Sequence, residues 1–180
     1  RLLDQTLLPS ETVYIDCKDA ESVWDAIKRL AVRGAPAIGV AAAYGMVVAA
    51  GKLADNDFRR QLAEAGEYLI SSRPTAVNLE WAVNRVLGRV AESPDACPVE
   101  VRKILLDEAL AIHAEDAEMC LAIGRAAAPL IMNSAAVLTH CNAGALATGG
   151  IGTATAGMYV AHAEGHQFTA YCDETRPLLQ

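Results

Sequence analysis

The feature that most constrains the fold is a long stretch without charge, residues 126–163, which contains no Lys, Arg, Asp or Glu. Within it, residues 136–139 predict a buried strand, and a glycine-rich turn and a helix over residues 153–163 follow. Residues 167–172 then predict a second strand. Strand, turn, helix and strand form a βαβ unit, so the two strands should be parallel with a right-handed crossover.

A single βαβ unit is not a finished domain, because a two-stranded parallel sheet leaves apolar surface in water. We therefore expect residues 134–180 to be the start of a parallel-sheet domain that this chain contains only in part. The fold class is α/β, with a mainly helical N-terminal domain at residues 1–133 and a small β element within it.

The N-terminal domain is predicted from its helix signals. Residues 11–17 alternate in polarity and predict a short strand, in a hairpin with the start of the chain. Asp19 can cap the first helix, Gly34 offers its left-handed stop, and Pro36 suits the first turn of a second helix built from small residues. Further helices are predicted over residues 57–71, after Thr75 as a cap, and over residues 98–128. The predicted buried faces include Val23, Ile27, Leu30 and Ala31 in the first helix, Phe58, Leu62, Ala65 and Leu69 in the third, and Val77, Trp81 and Val86 in the fourth.

The charge balance excludes several classes of partner. Fifteen basic residues against 22 acidic ones give a net charge of −7, which provides no general attraction for nucleic acid or an anionic membrane. An anionic small substrate would need a local cluster of arginines. Residues 34–51 carry no charge, but they are mostly Ala, Gly and Val, which favours a buried helix over a membrane span. Five cysteines without a CxxC pair argue against disulfides and a zinc site, and fit a reducing cytoplasm.

Cys141 is the candidate for chemistry, because it lies at the carboxyl end of the first predicted strand, where open α/β sheets place their ligands. Backbone N–H groups after it can hold an anion and lower the pKa of a thiol. The alternative is a buried cysteine that acts as a small hydrophobe, which we accept for Cys17, Cys97 and Cys120. Strand neighbours point to opposite faces, so His140 is poorly placed to act as a base for Cys141 unless the strand has already ended, and we expect it to be a core histidine. The other three histidines are expected at the surface.

Two junctions combine an arginine with a rigid turn and a helix start. They are the segment from Arg33 to Pro36 and the segment from Arg73 to Thr75. Either can offer a guanidinium and free helix amides to a phosphate, but spacing alone favours ordinary helix punctuation with a solvated arginine. The glycine pattern at residues 144–152 lacks the G-x-G-x-x-G spacing of a dinucleotide site.

Five strings in this order resemble methylthioribose-1-phosphate isomerase and cover the chain nearly end to end. They are LDQTLLP at 3–9, RGAPAIG at 33–39, RPTAVNL at 73–79, THCNAGALAT at 139–148 and ETRPLLQ at 174–180. The resemblance implies an aldose–ketose isomerase of methionine salvage, a route of amino-acid biosynthesis. It would convert 5-methylthioribose 1-phosphate to 5-methylthioribulose 1-phosphate without a cofactor or metal.

The resemblance also assigns roles to residues. It implies that Arg33, Gly34, Ala35, Arg73 and Gln180 bind the substrate and that Cys141 is the catalytic cysteine. It implies a Rossmann-like C-terminal domain, a proton-donating aspartate beyond residue 180, and a homodimer of the full-length cytoplasmic protein. This 180-residue chain alone is then expected to be inactive.

Two other functions share the architecture. A ribose-1,5-bisphosphate isomerase would need room and charge for a second phosphate. A non-catalytic regulatory subunit of the guanine-nucleotide exchange factor of translation initiation would keep the fold without the catalytic motifs, and the intact segment around Cys141 counts against it.

Overall fold

The structure of the chain, a computed structural model, describes residues 1–174. Two short strands open it, β1 at Leu2–Leu3 and β2 at Tyr14–Ile15. They pair antiparallel, with Leu2 opposite Ile15, which confirms the predicted hairpin. A 3₁₀ turn at Gln5–Leu7 follows β1.

Five helices build the mainly helical part of the chain. They are α1 at Ala20–Lys28, α2 at Ala35–Ala50, α3 at Phe58–Ser71, α4 at Val77–Ala91 and α5 at Pro98–Met132. Helix α2 lies in the centre and contacts the other four. This confirms the prediction from its small residues, because Ala and Gly let neighbouring helices approach closely. None of the helices in residues 1–174 combines the length and apolar character needed to cross a bilayer.

The residues predicted to begin and end the first two helices have those roles only in part. The Asp19 side chain accepts a hydrogen bond from the Ser22 N–H at 2.8 Å, which confirms the cap. The predicted stop of α1 is wrong, because the helix ends at Lys28 and Leu30 takes the left-handed conformation, with φ of 66°. Gly34, with φ of 95°, instead precedes the first residue of α2. Leu30 therefore lies outside the helix and is partly exposed.

The cap and the apolar face of α4 also differ from expectation. Ala76 precedes the helix without a side-chain cap, so Thr75 does not have the predicted role. Val77 and Trp81 are 76% and 48% exposed, whereas Val86 is fully buried. The core face of α4 is formed by Leu79, Ala82, Val83, Val86 and Val90. The helical period places Val77 and Trp81 on a neighbouring face, away from the core.

The βαβ unit is confirmed. Strand β3 at Ala136–Thr139 and strand β4 at Thr169–Cys172 are parallel and flank helix α6 at Ala156–Ala163. Helix α6 packs closely on α5, since a Cβ on Gly124 would lie 2.8 Å from Val160. The predicted burial of β3 is wrong, because only β4 pairs with it among residues 1–174 and Leu138 is 75% exposed.

Candidate functional site

Cys141 lies two residues beyond β3, at the carboxyl edge of the two parallel strands. Its thiol is exposed and its φ is 68°, in the left-handed region. A branched or bulky side chain is uncommon there, and residues held in sparsely populated backbone conformations cluster at active sites. The backbone turns sharply at this residue, which directs the chain from the sheet edge into the glycine-rich segment.

His140 is not the core histidine that the sequence predicted. Its side chain is 86% exposed, and its Nδ1 is paired with the carboxylate of Asp173. Asp173 follows β4, and the parallel register places Thr139 opposite Cys172, so the two residues leave neighbouring strands side by side. A carboxylate on Nδ1 orients the ring and leaves Nε2 for other partners. His140 and Asp173 thus supply acid–base groups at the edge that holds Cys141.

The segment after Cys141 is fixed by backbone hydrogen bonds. Ala143 O accepts from the Thr153 N–H at 2.9 Å and from the Thr155 hydroxyl at 3.1 Å. Gly144 and Gly152 form an isolated antiparallel bridge, and a 3₁₀ turn spans Ala145–Ala147. Helix α6 therefore begins later than the predicted residue 153, because residues 144–155 form this loop.

The first arginine junction packs against this loop. A Cβ on Gly34 would lie 2.4 Å from both the Cα and the Cβ of Ala147, so only glycine permits the approach. The Gln5 Nε2 donates to Leu146 O at 2.7 Å and adds a second link. The structure therefore brings the start of α2 to the turn that begins four residues after Cys141.

Arg33 is buried, and residues 1–174 provide no anionic partner for it. Arg33 is 8% exposed, and among residues 1–174 its Nε and Nη1 have no hydrogen-bond partner. Its Nη2 donates only to Gln5 O, at a long 3.4 Å. Burial lowers the pKa of this guanidinium below its usual value, because no opposite charge offsets the loss of water. A buried uncompensated charge is expensive, so an anion bound here would be strongly stabilised.

The second arginine junction lies beside the first. One cavity of about 350 Å³, which we call the arginine cavity, is lined by Gly34, Ala35, Arg73 and the start of α4 at Val77 and Asn78. The arginine of the second junction is exposed at this cavity. Two helix N-termini and a cation thus face one space, a combination that favours a phosphate. Gln180 lies outside the described residues.

The sequence missed the role of His113, which was predicted at the surface. Its ring is half-buried, with Nδ1 at 3.2 Å from the Tyr44 hydroxyl and Nε2 at 3.1 Å from Gly149 O. The Gly149 N–H donates to Asp116 at 2.6 Å, so two side chains of α5 hold both sides of one glycine residue. Nothing in the sequence around His113 indicates this, because its partners are 69 and 36 residues away.

One protein-family model matches most of the chain. Residues 31–180 match the Initiation factor 2 subunit family, IF-2B. A protein named 5-deoxyribose 1-phosphate isomerase from Petrotoga mobilis is 47% identical over 99% of the chain, and one from Clostridium botulinum is 51% identical over 99%. The chain spans about half the length of the curated relatives it matches, 52% in both cases.

Two solved structures resemble the chain over 99% of its length. One is 5-methylthioribose 1-phosphate isomerase from Pyrococcus horikoshii, with a TM-score of 0.91, 39% identity and 51% of that protein covered. The other is described as the translation initiation factor eIF-2B, subunit delta, from A. fulgidus, with a TM-score of 0.89, 41% identity and 53% covered. The fold, the motifs and the match over residues 31–180 agree, and the chain belongs to the Initiation factor 2 subunit family.

Proposed function

We propose that the whole protein containing this chain is an aldose–ketose isomerase that acts on a pentose 1-phosphate. The candidate substrates are 5-deoxyribose 1-phosphate and 5-methylthioribose 1-phosphate, the sugars in the names of similar proteins. The observation that carries the proposal is Arg33, a buried guanidinium with no counter-ion among residues 1–174, which immediately precedes Gly34 and Ala35 in the wall of the cavity that Arg73 also lines. Methionine salvage, a cytoplasmic location and a homodimer belong to the same proposal, with the methylthio sugar as substrate.

The phosphate is proposed to bind where the two junctions meet. Arg33 and Arg73 would supply positive charge, and the backbone at Gly34 and Ala35 would supply N–H donors. The missing Cβ of Gly34 lets Ala147 pack against it, which holds the start of α2 beside the loop that follows Cys141. Gln180 is proposed as a further contact by resemblance. A phosphate held in this way would place the sugar towards the loop that follows Cys141.

The chemistry follows from the substrate. A sugar whose C1 oxygen carries phosphate does not open to a free aldehyde. The ring oxygen must therefore be protonated as the bond between C1 and the ring oxygen breaks, while the phosphate stays on C1. A hydrogen then moves from C2 to C1, and the C2 hydroxyl loses its proton to give the ketone. Substrate and product are isomers, so no external electrons are needed. Cys141 would relay a proton or stabilise the transition state of a hydride shift in a dry pocket.

The regulatory-subunit alternative rests on the likeness to the A. fulgidus structure. A subunit that only assembles with other proteins has no use for a buried guanidinium without a partner, since replacing it with an apolar residue would be neutral or stabilising. Arg33 therefore favours the isomerase. A proton-donating aspartate beyond residue 180 remains part of the isomerase proposal.

The anion site can be tested with this chain alone. Inorganic phosphate should raise its melting temperature, by an amount equivalent to about 2.7 kcal/mol at 100 times the dissociation constant. Arg33→Met should melt at the same or a higher temperature without phosphate and should lose the phosphate effect. Arg60→Met, which removes a guanidinium that is 68% exposed, is the matched control. A phosphate response that survives in Arg33→Met would contradict the assignment.

The reaction can be tested with the whole protein. Conversion of each pentose 1-phosphate to its ketose can be followed by NMR, with Cys141→Ala and Cys141→Ser as variants. We expect both to fold and to lose turnover by about 10²–10⁴-fold, the usual contribution of a proton-transfer group. Near-normal turnover by Cys141→Ala would refute the role of the thiol. Exchange-factor regulation without any ketose formation would favour the alternative.

A further inference from the structure

Gln5 lies between the first arginine junction and the loop that follows Cys141. Its backbone carbonyl oxygen accepts a long hydrogen bond from Arg33 Nη2 at 3.4 Å, and its side-chain Nε2 donates to Leu146 O at 2.7 Å. The second bond joins residues that are 141 positions apart in the chain. A single residue therefore contacts both the arginine proposed to bind phosphate and the turn after the proposed catalytic cysteine.

The backbone of Gln5 is fixed to the first arginine junction. Its N–H donates to Ala31 O at 2.9 Å, two residues before Arg33. The 3₁₀ turn that begins with Gln5 is capped by Asp4, and the Asp4 carboxylate pairs with Arg29 at 2.7 Å. The start of the turn and the segment at residues 29–33 are thus bonded at several points. The side chain of Gln5 extends from this bonded unit to the loop.

The side-chain amide of Gln5 is only half satisfied. The residue is 5% exposed, and its Oε1 is buried with no hydrogen-bond partner among residues 1–174. A buried acceptor without a partner opposes folding, so an apolar side chain of the same length would serve stability equally well. What the amide adds is the bond that it does make, to the carbonyl of Leu146.

The bond from Gln5 restrains a part of the loop that the other contacts reach less directly. Ala147 packs on the start of α2, and two side chains of α5 hold Gly149. Leu146 is the nearest of these three loop residues to Cys141 in the chain, and it is 39% exposed, so burial alone does not hold it in place. The Gln5 bond therefore shortens the stretch of loop that is free to move beside the cysteine.

We propose that Gln5 is a positioning residue, which holds the loop after Cys141 at a fixed distance from a phosphate bound at Arg33. The inference rests on the proposed function. Gln5 acts through the loop and not on the reacting atoms: it fixes where the thiol lies relative to C1 of the sugar. Misplacement of reacting groups by about 1 Å can lower a rate about 10²-fold. Loss of the Gln5 bond should therefore lower kcat and leave binding of the phosphate nearly unchanged.

The test is steady-state kinetics of the whole protein with 5-methylthioribose 1-phosphate and 5-deoxyribose 1-phosphate. Gln5→Met keeps the length of the side chain but cannot donate to Leu146. It should lower kcat by about 10²-fold with KM nearly unchanged. Its melting temperature should stay within about 4 °C of the wild type, because the lost hydrogen bond and the removed unpartnered acceptor offset each other.

Gln61→Met is the matched control. The Gln61 Nε2 also donates to a backbone carbonyl, Asn56 O at 2.5 Å, but this bond lies at the start of α3 and away from the site. The same substitution there should keep the wild-type kcat. A loss of kcat in Gln61→Met as large as that in Gln5→Met would overturn the proposal, since the effect would then not depend on the loop after Cys141.

Gln5→Glu is the second variant, because it keeps the shape of the side chain and replaces the donor with a carboxylate. It should lower kcat as Gln5→Met does. It should also raise KM, because a carboxylate at residue 5 offers Arg33 a counter-ion that competes with the phosphate. A purely structural role of Gln5 would not predict this difference in KM between the two variants.

The outcomes separate this proposal from the proposed function. Near-normal kcat in folded Gln5→Met, or a raised KM with unchanged kcat, would overturn the positioning role and leave the isomerase standing. If Gln5→Met does not fold, the kcat of Gln5→Glu decides in the same way. Absence of any ketose product from the wild-type protein would reject the isomerase function and, with it, the role of Gln5.

Discussion

Substitution of Gly34 by Ala tests the contact that joins the first arginine junction to the loop after Cys141. The added Cβ would lie 2.4 Å from the Cα and Cβ of Ala147 and 2.6 Å from its carbonyl oxygen. Real Cβ contacts are essentially never shorter than 3.0 Å, so backbone must move. The φ of 95° at Gly34 is also one that L side chains rarely adopt.

The two effects can be estimated separately. A non-glycine residue with positive φ costs about 1–2 kcal/mol, and forcing one extra carbon into a packed contact costs about 1–3 kcal/mol. Their sum, about 2–5 kcal/mol, is a large part of the 5–15 kcal/mol that typically stabilises a protein. At roughly 2–4 °C per kcal/mol for a chain of this length, Gly34→Ala should lower the melting temperature by about 10 °C.

Gly165→Ala provides the control, because Gly165 has a similar φ of 89° but nothing lies within 4 Å of its added Cβ. Urea unfolding of both variants would separate backbone strain from the collision. We expect Gly165→Ala to show only the smaller loss. Adding Ala147→Gly to Gly34→Ala should recover part of the stability, because it removes the contact with the Ala147 Cβ. The recovery should be incomplete, because the contacts with the Cα and the carbonyl oxygen of residue 147 remain. Equal losses for Gly34→Ala and Gly165→Ala would refute the close packing of the two segments.

Three further outcomes are expected. Burial would raise the pKa of Asp4, but hydrogen bonds from Thr6 and Arg29 outweigh this effect and lower the pKa below its ordinary value of 3.8. The ionised carboxylate therefore stabilises the folded chain at neutral pH, and this stabilisation is lost as the pH falls through the lowered pKa. Asp4→Asn should therefore unfold more easily in urea at pH 7 by about 1 kcal/mol, because Arg29 is partly exposed, and the difference should shrink as the pH falls through the lowered pKa of Asp4. His113→Phe should speed hydrogen exchange of the Gly149 amide about tenfold or more, and unchanged exchange would argue against the hold on this loop. Gly88→Ala, on an open helix surface, should stabilise the chain by about 0.5–1 kcal/mol, and a loss of stability would show that the surface is not open.

The elements that follow from short-range signals were predictable from sequence. Asp19 caps α1 because its carboxylate needs only an N–H three residues away, and Pro36 fits the first turn of α2 for an equally local reason. The parallel pairing of β3 and β4 followed from the order of strand, glycine turn and helix. The position of Cys141 at a strand end was also predictable, since it depends only on where β3 stops.

The features that depend on distant partners could not be predicted. The ring of His113 is held by Tyr44 and Gly149, and the ring of His140 by Asp173, none of which is a close neighbour in the chain. Trp81 fits an apolar helical pattern, and only the position of α5 decides that its side chain lines a cavity instead of the core. The helical period identifies the apolar face of a helix, but it does not indicate whether the core or a cavity lies against that face.

Strain alone does not identify the site, since Leu30 and Asp57 also have positive φ without any of the other features. The Cys141 region differs because it combines an unpaired buried charge with two left-handed backbone conformations in segments that pack together. Arg33 is buried with no counter-ion among the described residues, Gly34 has a conformation that only glycine readily adopts, and Cys141 leaves its strand through a left-handed turn. A sequence selected only for stability has no reason to keep an unpaired guanidinium at Arg33 or a non-glycine left-handed turn at Cys141, so their occurrence on either side of the Gly34–Ala147 contact favours a bound anion as the common reason. Loss of the phosphate response in Arg33→Met, with stability retained, is the result that this reasoning requires.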